Sequence, residues 1–468
     1  MGKKYQQVTP QVDSRWRLGT TAALATVALF LAVYLPLAGQ GFVRDDYAWI
    51  LRSRVSSPDD LVGLLSHDIG FYRPMVGLTF AVNEWFFGLH PFGYGLTNFL
   101  LAFACAVSIV VLGRAMGLPV GGALVAGALW LLHAEFLPIG VLWISGRTAL
   151  VMILAATASA GALLGGRFWP ALAWLAVALF SKEEAVVLPF VLLGWLIIRP
   201  SAIRPLAWAG GAGTLVVVYL IARTMAGATN PANAPAFYRL TFEPAIVLDN
   251  LVWYAIHGAW TAAIVAVLGA LVLHGKPAST DSPRAPGINS ILMCSALWIA
   301  GSFALTIWIP IRSDLYLALP AVGVSLAAAA FCTQRWRKAS PARQHAALVL
   351  AIVFVAAMGP VHLRSAREWA MRTAFAATVL RDLDVLTSGL PAGSHVVLND
   401  DRNDPHGNLG TVFGTMASDA GALVTAGPMD IWIEPPPPHA EIMGLRPPCP
   451  DCADLRLQLV AGRLRQMR

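Results

Sequence analysis

The chain has 468 residues, of which 57% are hydrophobic and 13% charged, with a formal net charge of +7. Soluble domains carry about 25% charged residues and lack membrane-length apolar runs, so this composition excludes an ordinary soluble protein. In a protein with many spans, basic residues gather in cytoplasmic loops, so the positive charge does not indicate a nucleic-acid partner. The composition therefore predicts an α-helical polytopic membrane protein.

The hydropathy pattern predicts about eleven transmembrane helices, counted at about 20 apolar residues each. They lie at 18–38, 92–113, 119–136, 148–165, 168–180, 185–198, 205–222, 245–273, 288–309, 315–332 and 346–361. The first is too long for a signal peptide and lacks a cleavage pattern, so we expect it to remain as an anchor. The fifth and sixth are short and flank a charged corner.

The distribution of Lys and Arg predicts the orientation of these spans. If the N-terminus lies inside, the inner loops carry Lys3, Lys4, Arg15, Arg17, Arg114, Arg167, Arg199, Arg204, Lys276, Arg284, Arg335, Arg337, Lys338 and Arg343. This alternation satisfies the positive-inside rule. It predicts that the N-terminus is cytoplasmic and that the first long loop and the C-terminus lie on the outer face. We expect the membrane to be the plasma (inner) membrane.

The first outer loop, residues 41–91, begins with two adjacent acids, Asp45 and Asp46. Carboxylates are costly beside hydrocarbon, so this pair marks either a solvated loop start or a functional site. Further along the loop, residues 58–65 are typical of a short capped helix. Residues 75–87 are apolar at helical spacing and rich in Trp and Phe, which predicts an amphipathic helix in the interface plane.

Residues 1–362 are therefore expected to form a transmembrane domain, and 363–468 a small extracytoplasmic C-terminal domain. The pattern of this C-terminal part predicts an α/β fold, with helices at 364–386 and 410–424 and strands at 395–398 and 431–433.

Two groups in the C-terminal domain have side chains that can bind metals. They are Asp400, Asp401, Asp404 and His406, and the CPDC pair Cys449 and Cys452. Because Asp, Asn and Gly commonly form turns, a polar turn is preferred for the first group over a divalent-metal site. The CPDC lacks further ligands, which favours a local disulfide in an oxidising compartment over half of a metal site.

Charged and polar groups recur at the predicted outer ends of the spans. They are Asp45 and Asp46; His133 and Glu135, followed by Arg147; Ser181, Lys182, Glu183 and Glu184; and the segment 312–316 with Arg312, Asp314 and Tyr316. One such group alone is typical of a snorkelling or helix-end charge. Several on one face are expected to converge on a single outward-facing cavity.

Acids and bases in one cavity suit a transfer reaction on a lipid phosphate. A carboxylate within hydrogen-bond reach can accept the proton of an incoming hydroxyl. Arg and Lys can hold a phosphate and stabilise the charge that develops as it leaves. The acidic pair can serve with or without a divalent metal, so the sequence requires no cofactor.

The motifs occur in an order that resembles a known superfamily. They are Phe42-Val43-Arg44-Asp45-Asp46, Tyr72-Arg73-Pro74 with Asn83, His90-Pro91-Phe92-Gly93-Tyr94 with Asn98, His133-Ala134-Glu135, Ser145-Gly146-Arg147-Thr148, Phe180-Ser181-Lys182-Glu183, Leu315-Tyr316-Leu317 with Pro320, and 364–372 with Trp369. Each is short, and their shared order carries the resemblance. The chain resembles the GT-C superfamily of membrane glycosyltransferases, nearest to the transmembrane O-mannosyltransferases with tetratricopeptide repeats, although it shows no such repeat.

The resemblance implies a GT-C-like bundle that moves a sugar, with mannose expected, from a polyprenyl-phosphate donor to an acceptor hydroxyl on the outer face, with inversion at the anomeric carbon. Asp45 or Asp46 would act as the base or orient the acceptor, with Asp45 preferred as the base. The residues implied for the donor phosphate are Arg147, Lys182 and Arg312. The residues implied in support are His133, Glu135, Glu183, Arg73 and Tyr316.

Two other functions stay open at this point. One is a transporter or flippase for lipid-linked sugars, and the other is a non-catalytic binding protein of the same fold. Transporters usually have internal repeats and polar residues near the bilayer midplane, whereas these charges lie at one rim. The expected partners are a polyprenyl-phosphate sugar, membrane lipids and an acceptor that is a protein, lipid or glycan, with no nucleic acid.

Overall fold

The computed structural model describes residues 17–66, 71–228, 239–273, 287–425, 427–437 and 452–467. The α-helices are α1 Arg17–Tyr34, α2 Asp46–Arg52, α3 Pro58–Ser66, α4 Pro74–Phe87, α5 Pro91–Ala115, α6 Val120–Leu131, α7 Phe136–Leu142, α8 Arg147–Leu164, α9 Phe168–Leu179, α10 Leu188–Ile198, α11 Pro205–Met225, α12 Pro244–Val272, α13 Ile288–Phe303, α14 Ala318–Trp336, α15 Pro341–Thr387, α16 Leu409–Phe413 and α17 Ala417–Val424. The strands are β1 His395–Asn399, β2 Asp430–Glu434, β3 Leu455–Val460 and β4 Arg463–Gln466.

The molecule is a multi-pass helical membrane protein. Within the described ranges, eight helices are long and apolar enough to cross a membrane: α1, α5, α8, α11, α12, α13, α14 and α15. Each of the eleven predicted spans overlaps a helix, and the fifth and sixth correspond to the short helices α9 and α10.

The third predicted span, 119–136, is not one straight helix. It is a pair, α6 and α7, bent by 73° at a break between residues 131 and 136. Pro138 lies in the first turn of α7, and its missing N–H could not continue the hydrogen-bond ladder of α6 through this region. The break therefore places His133 and Glu135 on irregular backbone, where their side chains can approach neighbouring helices.

Helices α8 and α14 form the centre of the bundle. In the most apolar stretch of each, 78% and 83% of the residues are buried, against 17% for α11 and α12. Indole N–H groups join neighbouring helices here, because a buried indole needs an acceptor. Trp130 donates to the Ala318 carbonyl at 3.3 Å and Trp298 to the Leu319 carbonyl at 2.8 Å. The outer helices expose the apolar surface that faces lipid.

Charge divides the bundle into two ends. We name the end where α1 finishes and α8 begins the acid end, because every described Asp and Glu of the helical bundle lies on that side. The opposite, basic end carries Arg114, Arg167, Arg199, Arg335 and Arg337 among the described residues. The C-terminal domain sits at the acid end, where Arg44 donates its backbone N–H to the Val412 carbonyl at 2.7 Å.

Two predicted helices of the first loop are present as α3 and α4. Helix α4 packs Val76 and Phe80 inward, whereas Trp85 and Phe86 are 80% and 67% exposed. The expectation of an amphipathic helix is therefore wrong in one respect, since both faces are apolar. The inner face packs on the bundle, and the outer face offers aromatic rings that favour the headgroup level of a bilayer.

The C-terminal sheet has the strand order β2-β1-β3-β4, with β1 parallel to β2 and β3, and β4 antiparallel to β3. Strands β1 and β2 match the predicted positions. The helix predicted at 410–424 is two helices, because Gly414 at φ +55° ends α16. Strands β3 and β4 were not predicted, although 455–460 buries every second residue, the alternation typical of a strand.

Helix α15 joins the two parts of the molecule. It runs unbroken for 47 residues with Pro360 inside it, so the predicted boundary between 362 and 363 falls within one helix. Near its end, the Asp382 carboxylate accepts hydrogen bonds from Arg463 Nε at 2.8 Å and from the backbone N–H of Leu464 at 3.0 Å. One side chain thus attaches β4 to α15.

We predict that Asp382→Ala loosens β4. The buried N–H of Leu464 would lose its acceptor, which costs about 1–3 kcal/mol. Hydrogen exchange at 463–466 should therefore accelerate. Asp384→Ala, an exposed acid on the same helix, is the matched control and should leave exchange unchanged. Equal protection in both variants would contradict the attachment.

Candidate active site

The acid pair lies between the end of α1 and the start of α2. Arg44, directly before the pair, has φ +53°, a left-handed conformation that costs a non-glycine residue about 1–3 kcal/mol. The C-terminal domain holds it there, because Arg44 also donates its Nε to the Thr411 carbonyl at 2.7 Å. The backbone that presents the pair is thus held in place by a second domain.

Asp46 is fully buried. Its Oδ1 accepts the backbone N–H of Ser145 at 2.7 Å and the Ser145 hydroxyl at 2.5 Å, and its Oδ2 accepts the Val43 N–H at 3.0 Å. Burial raises the pKa of Asp46 from 3.8 to about 7. The hydrogen bonds from Ser145 and Val43 lower the pKa and offset part of this rise. Asp46 therefore binds the first loop to the turn before α8.

That turn, Ile144–Gly146, brings Ser145 into reach of Asp46. At Gly146, an added Cβ would lie 2.6 Å from the Ile139 carbonyl oxygen and 2.8 Å from that of Gly140. Such contacts cannot be accommodated, so the close approach of the turn to α7 requires glycine.

Asp45 differs from its neighbour in exposure. It is half-buried at the N-terminal boundary of α2, whereas Asp46 has no exposed surface. The two adjacent carboxyls therefore have different environments, one internal and one partly exposed.

The structure does not support Arg147 as a ligand of the donor phosphate. Its side chain is fully buried, and its nitrogens donate to Asn98 Oδ1 at 3.0 Å, the Thr79 carbonyl at 3.2 Å and the Tyr94 carbonyl at 3.0 Å. The guanidinium also stacks over the Phe80 ring at 4.2 Å. Arg147 instead joins α4, α5 and α8 beneath the acid pair.

Arg73 and Glu183 form a two-pronged ion pair. Arg73 donates its Nε to Glu183 Oε2 at 3.0 Å and its NH2 to Oε1 at 2.6 Å. Burial alone would raise the pKa of Glu183, but Arg73, with Lys182, lowers it to about 2. The pair attaches the start of α4 to the corner after α9.

Lys182 lies deeper in the same corner. Its ammonium is 2.5 Å from Glu184 Oε1 and 4.9 Å from the centre of the Tyr316 ring, and its side chain is 3% exposed. Tyr254 interacts electrostatically with Glu184 and with Arg312, so the corner and the Arg312 loop meet around this tyrosine.

Arg312 is the most accessible of the three predicted phosphate ligands, with 31% of its side chain exposed. It forms an ion pair with Asp249 and donates its Nε to Asn250 Oδ1 at 2.9 Å. Asn250 in turn donates to the Ile307 and Ile309 carbonyls at 3.0 Å. These contacts hold the Arg312 loop against α12.

His133 and Glu135, on the break between α6 and α7, contact α12 rather than the acid pair. His133 Nε2 lies 3.3 Å from the Gly258 carbonyl oxygen, and Glu135 accepts the Trp260 indole N–H at 3.2 Å. Glu135 also interacts electrostatically with Asp314.

Two groups of predicted site residues thus share the acid end, and α4 connects them. Thr79 contacts Arg147 beneath the acid pair, and Arg73 contacts Glu183 at the corner. Arg73 directly precedes α4, and Thr79 lies within it, six residues further on and about 9 Å along the helix axis. The sequence predicted one cavity lined by all these residues. The structure instead has two groups, the acid pair on one side and paired cations on the other.

The acids of the C-terminal domain cap backbone groups. Asp400 accepts the Leu409 N–H at 2.9 Å, and Asp404 accepts the N–H groups of His406 and Gly462 at 2.8 Å. These contacts support the predicted polar turn. Among the described residues, no group of three or more His, Cys, Asp or Glu side chains has the arrangement of a metal site. Cys452 is in a disulfide, and Cys449 lies outside the described residues.

Several residues that build the site were not singled out from the sequence for a role. They are Thr79, Asp249 and Asn250. Each is a polar side chain within or beside an apolar segment, which is the signal that pointed to the other site residues. Their partners are distant in sequence, so single-sequence patterns do not assign their contacts.

We predict that Asp46 makes stability fall as pH rises. Its carboxyl ionises near pH 4 in the unfolded chain but near pH 7 in the folded one. Between these values the folded state binds more protons, so the free energy of unfolding decreases with pH and levels off above about 7. Asp46→Asn should flatten this dependence.

The measurement is the thermal midpoint in detergent at several pH values between about 4.5 and 8. Asp59→Asn, an exposed acid of the same loop, is the control and should keep the wild-type slope. A wild-type slope in Asp46→Asn would show that another group is responsible.

Comparisons with known proteins bear on this fold. No family model matches the sequence. The protein O-mannosyl-transferase Tmtc1 of Drosophila melanogaster is 31% identical over 118 residues, which is 23% of this chain and 14% of that protein. ArnT of Cupriavidus metallidurans, solved bound to undecaprenyl phosphate, superposes with a TM-score of 0.54 at 13% identity, over 88% of this chain and 85% of that one. Its apo structure gives a TM-score of 0.52 at 13% identity, over 88% and 86%. The chain therefore shares the fold of ArnT over most of its length, and the helical membrane bundle with a small C-terminal sheet agrees with the fold that its sequence predicted.

Proposed function

We propose that the protein is an inverting glycosyltransferase that uses a polyprenyl-phosphate sugar. One observation carries the proposal: a GT-C bundle presents two carboxyls of different exposure, Asp45 and Asp46, at the same end as a group of paired cations. The likeness to ArnT, solved with undecaprenyl phosphate, supports a lipid-phosphate donor. The partial match to Tmtc1 supports mannose as the sugar and a hydroxyl as the acceptor group.

In the proposed reaction, the acceptor oxygen attacks the anomeric carbon of the donor sugar. The bond from that carbon to the phosphate oxygen breaks, polyprenyl phosphate leaves with the electron pair, and the acceptor proton passes to a carboxylate. A general base of this kind contributes about 10²–10⁴-fold to rate. The acidic pair can act in this way without a metal.

We assign the base to Asp45 and a positioning role to Asp46. Asp46 has no exposed surface, and its two oxygens are engaged by Ser145 and Val43. Asp45 is partly exposed, which an incoming acceptor requires. The raised pKa of Asp46 also reduces its negative charge near neutral pH, which makes it the weaker candidate for the base.

Lys182 and Arg312 are the proposed ligands of the donor phosphate, and Tyr316 lies beside Lys182. Each cation already has a carboxylate partner, Glu184 or Asp249. Binding of a phosphate would therefore require an exchange of partners, in which the cation keeps a charge-assisted hydrogen bond throughout. Arg147 is not included, because its donors are satisfied inside the protein.

The proposed location is the plasma (inner) membrane, with the acid end and the C-terminal domain on the outer face. The basic end carries the Arg side chains that the positive-inside rule places in the cytoplasm. The acceptor would then approach from outside, across the loop that holds Asp45.

The test is transfer of radiolabel from polyprenyl-phosphate mannose to membrane fractions by purified protein. We predict that Asp45→Asn lowers transfer by at least about 10²-fold, because it removes the base. Asp46→Asn should lower both transfer and the thermal midpoint measured near pH 5, because it disturbs the loop as well.

Asp59→Asn is the control and should transfer at the wild-type rate. Full activity in both Asp45→Asn and Asp46→Asn would contradict the proposed function. Movement of the intact labelled donor across vesicles, with no labelled product, would instead indicate a flippase.

A further inference from the structure

An apolar groove opens on the side of the bundle between α1, α6, α12, α14 and α15. Its walls include Ala128, Leu132, Leu268, Ala351 and Phe354, and Thr26 is the one hydroxyl among its described lining residues. On α15 the lining runs from Ala347 to Val355, about 12 Å along the helix. That length is close to one leaflet of a hydrocarbon core about 30 Å thick.

The groove continues into a small pocket with polar side chains on one wall at the basic end, since Val125 and Cys332 line both. Thr333, Trp336 and Arg337 form one wall of this pocket. Three glycines, Gly19, Gly121 and Gly122, line it as well, and a Cβ at Gly122 would lie 2.4 Å from the Thr333 hydroxyl oxygen. The pocket therefore exists because these positions lack side chains.

The pocket contains hydrogen-bond donors without acceptors. Trp336 is 7% exposed, and its buried indole N–H has no partner in the part of the chain that the structure describes. A buried indole N–H normally finds an acceptor. Arg337 is exposed and forms no ion pair with any described carboxylate, and the described residues place every acid of the bundle at the other end.

We propose that this groove and pocket bind one anionic phospholipid of the leaflet at the basic end. The headgroup phosphate accepts hydrogen bonds from the Trp336 indole, the Thr333 hydroxyl and the Arg337 guanidinium. One acyl chain lies in the apolar groove. An anionic lipid is favoured by charge, because the described charged side chains at this end are all positive.

The position of the pocket distinguishes this lipid from the sugar donor. Helix α14 runs from Ala318, beside the Tyr316 group, to Trp336, a distance of about 27 Å. A lipid whose phosphate lies at Trp336 therefore cannot present that phosphate to Lys182 or Asp45. The proposed site is a second lipid site, and it does not depend on the chemistry at the acid end.

The test is native mass spectrometry of the purified full-length chain with dioleoyl phosphatidylglycerol or dioleoyl phosphatidylcholine. The wild type should retain one phosphatidylglycerol and prefer it over phosphatidylcholine. Arg337→Gln should reduce that preference by about fivefold, the effect of one basic side chain at a lipid surface. Ala351→Phe should remove the bound lipid, because the ring fills the groove.

The matched controls are Lys338→Gln, an exposed neighbour outside the pocket, and Val353→Phe, an exposed position of α15 outside the groove. Both should bind phosphatidylglycerol like the wild type. Equal retention of the two lipids by the wild type, or undiminished binding in Ala351→Phe, would overturn the proposal. So would displacement of the lipid by a polyprenyl phosphate whose own binding is lost in Ala351→Phe, since the groove would then hold the donor's tail.

Discussion

The buried carboxyl of Asp46 is the contact on which the candidate site depends. Its hydrogen bonds to Ser145 and Val43 hold the first loop against the turn that precedes α8. A carboxyl without solvent is stable only where its oxygens are hydrogen-bonded, so the loop has one well-defined position. Arg44 extends this constraint to the C-terminal domain, because its left-handed backbone is held by carbonyls of that domain. These contacts also fix the backbone position of the neighbouring Asp45.

The cations of the acid end are held by a second set of constraints. Arg73, Lys182 and Arg312 each have a carboxylate partner, and Arg147 has backbone and amide acceptors. A buried ion pair such as Lys182 with Glu184 is weak evidence of stabilisation, since desolvation offsets its attraction. We propose that this pair serves the transfer reaction, in which the donor phosphate takes the place of the Glu184 carboxylate beside Lys182. The ion pairs keep cations near the site and leave none of them uncompensated when no phosphate is bound.

The sequence predicted most of the architecture, because hydropathy at membrane length and the Lys/Arg alternation are strong local signals. The ion pair of Arg73 with Glu183 joins two motifs that were both singled out, although their contact was not foreseen. The burial of Arg147, which the sequence offered as a phosphate ligand, was not foreseen, because it depends on acceptors from α4 and α5 that no local pattern specifies. The break between α6 and α7 was missed for a similar reason, since apolar residues continue on both sides of it. Contacts between distant segments are set by packing, which a single sequence does not display.

The measurement that tests the central claim most directly is a cryo-EM structure of the protein with a polyprenyl phosphate. We predict phosphate density at the acid end, within hydrogen-bond distance of Lys182 or Arg312, with the corresponding carboxylate of Glu184 or Asp249 displaced. Phosphate density at the basic end alone, with both ion pairs intact, would contradict it.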